Sequence, residues 1–69
     1  MSNLQFYLER IDAASAYGFN AGEGIINTVI SAAAGDVTLT EEEFELIIDL
    51  VNKCHIKMME ENYNAGWNN

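Results

Sequence analysis

A chain of 69 residues with eleven acidic and only three basic side chains carries a net charge of −8. That charge repels the phosphate backbone, whose neutralisation supplies most nucleic-acid affinity, and it repels anionic lipid too, which argues against direct DNA, RNA or membrane binding. The hydrophobic fraction of 49%, without a single proline, points to a folded chain rather than a disordered one.

At this length residues 1–69 form one domain, which buries only roughly 60% of the surface its unfolded chain exposes. Association would enlarge so small a core, so a homodimer is expected. The lone Cys54 cannot close an internal disulfide, and the first residues lack the charged start and apolar run of a signal peptide. The expected setting is the reducing cytoplasm.

The periodicity predicts an all-α fold, a small three-helix bundle with a long C-terminal helix. The first helix is expected at about residues 3–17. Ser2 and Gln5 are spaced as a capping box, in which each side chain satisfies a backbone N–H that the first turn leaves free. Leu4, Tyr7, Leu8, Ile11 and Ala14 recur at helical spacing as a core stripe. Phe6, Ala13 and Tyr17 form a second stripe with Arg10 between them, and Gly18 ends the helix.

Asn20 and Glu23 repeat the capping pattern before a helix expected at 21–34, closing at Gly35. Gly22, Gly24, Thr28 and Val29 lower its intrinsic stability relative to alanine, so packing must hold it. Its uncharged stretch is far shorter than the ~20 residues a membrane span needs. Gly24, Thr28, Ser31 and Ala32 would let another backbone approach closely, on a face expected between helices or at a subunit contact. Val37 and Leu39 in the following connection are expected to tuck under the third helix as a hydrophobic staple.

The third helix, at about 41–62, opens on the capping box Thr40–Glu43, with Glu41, Glu42 and Glu43 at the positive end of its dipole. Phe44, Ile47, Ile48, Val51, Cys54, His55 and Met58 share one face. Leu50 widens that stripe and Leu46 and Ile56 fall outside it, an arc broad enough for two neighbouring helices. Residues 63–69 read as a frayed tail, whose Trp67 either folds back or waits for a partner.

No group of residues spells a reaction. Asp36 to Glu43 matches the second half of a calcium-binding EF-hand loop, but Ala32 and Ala34 occupy ligand positions and Val37 the obligatory glycine. Cys54 and His55, adjacent on a helix, point about 100° apart and cannot share a metal, so neither metal nor cofactor is expected. Glu42, Glu45 and Asp49 line a solvated face where nothing dries them, and so small a domain has little room for a substrate cavity of several hundred Å3.

The expectation is therefore a non-enzymatic module that binds another protein, a small regulatory or inhibitory protein. Its candidate contact residues are Phe6, Arg10, Tyr17, Leu46, Leu50 and Trp67. The alternative is an acidic nucleic-acid mimic of the kind phages use against host defences. It would place Glu42, Glu45 and Asp49 in a basic cleft and resembles such inhibitors in size and charge alone.

Overall fold

The computed structural model describes the backbone of residues 2–67 and the side chains of residues 2–60. It contains three helices, α1 (Leu4–Ser15), α2 (Phe19–Ala34) and α3 (Glu41–Trp67), and no strand among the described residues. Each helix packs against the other two. Ser2 bonds to Glu43 near one end while Cys54 lies beside Ser15 toward the other, so α1 and α3 run in the same direction. Gly22 lies beside Ala14 and Met58, which sets α2 antiparallel to both.

The anticipated core stripes of α1 and α3 pack, against a face of α2 formed by Ile26, Val29 and Ala33. Tyr7, Ile11 and Ala14 of α1 meet Ile26, Val29 and Ala33 of α2 and Ile47, Val51, Cys54 and Met58 of α3. Leu4, Leu8, Ile25, Ile30, Phe44 and Leu50 are half-buried around them. The Thr40–Glu43 capping box forms as expected: Thr40 N–H donates to Glu43 Oε1 at 3.0 Å, and Glu43 N–H to Thr40 Oγ1 at 3.1 Å.

The two other expected capping boxes do not form. The Ser2 hydroxyl donates to Glu43 Oε2 at 2.6 Å, across 41 positions of sequence, and its oxygen accepts the Leu4 N–H at 3.4 Å rather than that of Gln5. The Gln5 amide reaches Glu9. Asn20 lies inside α2, which begins two residues before its expected start. Gly18, with φ of 87°, caps it, and the Gly18 carbonyl accepts the Gly22 N–H at 2.9 Å. A positive φ is open to glycine at little cost, so the chain reverses in three residues and brings α2 close to α1.

Val37 is 97% exposed and takes no part in a staple, whereas Leu39 and Phe44 are both half-buried against the core. The backbone of α3 stays helical through 63–67, past the expected end at 62.

The close approach in α2 is made by Gly22 and not by the face anticipated. Gly24, Thr28, Ser31 and Ala32 are exposed, whereas a Cβ on Gly22 would stand 2.5 Å from the Ala14 carbonyl oxygen and 3.2 Å from Met58 Sδ. The first obstacle is backbone, so one of the two helices must shift to admit a methyl group. Gly22→Ala should destabilise by about 1–3 kcal/mol, the usual cost of overpacking, despite removing a helix-interior glycine. Gly24→Ala adds its Cβ to open space and should stabilise by about 0.5–1 kcal/mol. Denaturant midpoints of the two variants check the opposite signs.

Candidate functional site

The outward side of α1 carries the second stripe. Phe6 is 57% and Tyr17 69% exposed, and Arg10 and Ala13 between them are also exposed. The Arg10 guanidinium sits 5.8 Å from the Phe6 ring centroid, one turn along the helix, a cation–π arrangement that holds both side chains outward. The Phe6 ring also meets Tyr7 edge-on, with centroids 5.6 Å apart at 68°, which ties the exposed ring to a core residue. Toward α2 the stripe opens into a groove of about 170 Å3 lined by Arg10, Ala13, Ala14, Tyr17 and Ile25.

Leu46 is 52% exposed and Leu50 half-buried. They do not join this surface. α1 turns Asp12 and Ser15 toward Cys54 of α3, and at about 100° per residue Phe6, Arg10 and Tyr17 lie on the other flank of the helix. Leu46 and Leu50 therefore border a separate edge, and burial of the two rings against them within one chain does not occur. The Trp67 side chain lies outside the described residues.

A second concavity sits where α2 hands over to α3. Ala33, Ala34, Leu39 and Phe44 form the apolar part of a groove of about 410 Å3, with Asp36, Thr40, Glu41 and Glu45 around it. It is an open groove on the surface rather than an enclosed cavity. The space arises because the connection turns sharply over residues 36–39, with Asp36 N–H bonded to the Ala33 carbonyl and Leu39 N–H to that of Asp36.

Asp36 is the knot of that connection. Its Oδ2 accepts from the Tyr7 hydroxyl at 2.6 Å and from Asn3 Nδ2 at 2.8 Å, and its Oδ1 from the Thr38 hydroxyl at 2.6 Å and the Thr38 N–H at 2.8 Å. Four donors fill the acceptor capacity of a carboxylate. The Thr38 hydroxyl, then Tyr7, Asn3 and the Thr38 N–H hold Asp36 well below the usual carboxylate range. Glu43 is lowered as well, first by the Ser2 hydroxyl and then by the Thr40 N–H. The bond to Asp36 raises the Tyr7 phenol in turn. In the sequence Asp36 reads as the start of a short connection; the distant Asn3 and Tyr7 that define its role carry no local signal.

Of the acidic row, Glu45 borders the large groove, whereas Glu42 and Asp49 are exposed and do not line it. Cys54 is buried, and burial pushes its thiol pKa up while the Ser15 hydroxyl works against that rise. His55 is half-buried with its Nε2 atom buried and without a hydrogen-bond partner among the described residues. Among those residues no group of three or more His, Cys, Asp or Glu side chains could hold a metal ion, and no helix is long and apolar enough to cross a membrane.

No protein-family model, curated protein or solved structure matches this chain.

The Asp36 knot makes stability depend on acid in a defined direction. A carboxyl whose pKa is lower folded than unfolded adds stability that is fully present above its unfolded value, about 3.9 for Asp, and is lost as the pH falls toward the folded value. Asp36→Asn should lower the melting temperature at pH 7. The gap between the two proteins should narrow as the pH drops below about 4. Comparing the two melting curves across pH cancels the shared effect of the net charge.

Proposed function

We propose that this chain is a non-enzymatic protein-binding module, a small regulatory or inhibitory protein that engages its partner through the outward face of α1. The observation that carries the reading is the exposure of Phe6 and Tyr17, at 57% and 69%, on either side of Arg10. Large aromatics and arginine dominate measured interface energies, and truncating one such anchor commonly costs ~2 kcal/mol or more of binding. The core is closed by Tyr7, Ile11 and Ala14 without them, so these rings are not needed for folding. Arg10 stacked on Phe6 narrows the freedom both lose on binding.

The acidic-mimic reading has less support. Glu42, Glu45 and Asp49 put three charges over about 10 Å of helix axis. Duplex DNA of that length carries about six, three on each strand, so the row could stand for one strand only. Salt separates the two, because a mimic's complex weakens steeply with ionic strength and a hydrophobic contact does not.

In pull-downs from the source cell, Phe6→Ala/Tyr17→Ala should lose the bound protein while staying folded, with at most a small fall in melting temperature from the lost Phe6–Tyr7 contact, and wild-type binding should persist at high salt. Capture that survives the double substitution but vanishes with salt would move the partner to the acidic row.

We further propose that the protein self-associates as a homodimer. Leu46, Ile56 and Met59, each more than half exposed on α3, supply apolar area that the single chain leaves uncovered. Sedimentation at high micromolar concentration should give about twice the 7.7 kDa chain mass; a species at 7.7 kDa counts against it.

A further inference from the structure

The 410 Å3 groove at the α2–α3 junction lies within the range of concave recognition sites, about 300–1,000 Å3. It is used neither by the core nor by the α1 surface. Its floor is apolar, Leu39 and Phe44 flanked by Ala33 and Ala34, and every charged residue lining it is an acid. The three basic residues of the chain, Arg10, Lys53 and Lys57, all lie elsewhere.

The three acids are not equivalent. Asp36 has its acceptor positions filled by Tyr7, Asn3 and Thr38, so it contributes a fixed negative field rather than a further hydrogen bond. Glu41 and Glu45 are exposed and four residues apart on one face of α3, where like charges repel. A cation placed between them relieves that repulsion, and the apolar floor beside them offers burial to a carbon side chain.

We infer that this groove docks a short segment of a partner protein in which an aliphatic or aromatic side chain is adjacent to a lysine or arginine. The apolar side chain lies over Leu39 and Phe44. The cation bridges Glu41 and Glu45 in the field of Asp36. This surface is separate from the α1 stripe, and the inference does not depend on that stripe being a binding face.

The test is fluorescence anisotropy with a labelled peptide of alternating leucine and arginine titrated with the full chain. Because any cationic peptide is drawn to a protein of net charge −8, the comparison is between variants of equal charge. Glu41→Gln/Glu45→Gln should weaken binding about ten-fold or more, and Glu42→Gln/Asp49→Asn less than about two-fold. Ala34→Trp, at an exposed position on the groove wall, should block binding while leaving all charges in place.

A peptide with glycine in place of leucine should bind more weakly than the parent. Equal losses from the two charge pairs, or equal affinity for the glycine peptide, would overturn the proposal by reducing the contact to net charge. Loss of the peptide on Phe6→Ala/Tyr17→Ala would overturn it by moving the site to α1. Absence of any wild-type binding at millimolar peptide would also sink it. Melting curves on each variant report folding independently.

Discussion

The contact on which the rest of this structure depends is the one between the backbones of α1 and α2 at Gly22 and Ala14. With no side chain on Gly22, the Ala14 carbonyl lies where a Cβ would otherwise be, and Met58 of α3 closes over the same spot. Interiors are close-packed, so one such approach fixes how deeply the neighbouring side chains interlock. Ile11 and Ile26, both fully buried, belong to the core cluster of these helices. Gly18, four residues earlier, makes the approach possible by turning the chain within three residues.

At the opposite end the helices are tied by polar contacts rather than by packing. Asp36 gathers donors from both α1 and its own connection, and Glu43 joins the cap of α3 to Ser2. Both carboxylates gain by being charged in the folded state. The domain is thus held at one end by a contact indifferent to pH and at the other by contacts that weaken in acid.

The surface follows from this division. Because α1 spends its inner face on the core, its outer face is free to present Phe6, Arg10 and Tyr17. Because the Asp36 connection turns tightly, it leaves an open groove beside Leu39 and Phe44 instead of covering them. One surface is aromatic with a cation and the other apolar with acids, so the two suit partners of different chemistry.

What the sequence by itself determined were the features with a local cause. The core stripes of α1 and α3 and the Thr40–Glu43 cap depend on spacings of three and four residues, which the helix imposes wherever it forms. That Phe6 and Tyr17 lie outside the core stripe of α1 was legible in the same way, but whether they stay exposed was settled only by the packed chain. The tertiary structure decided which of several local equivalents was used. Gly22 and Gly24 look alike in sequence, and only the rotation of α2 about its axis puts one against Ala14 and the other in open space. Ser2 is spaced to cap with Gln5, and only bundling brings the Glu43 carboxylate within 2.6 Å of its hydroxyl. Val37 and Leu39 were equal candidates for the staple until the turn at Asp36 aimed one outward. The large groove has no sequence signature, since it is the space between two helix ends whose separation is set by contacts elsewhere in the chain.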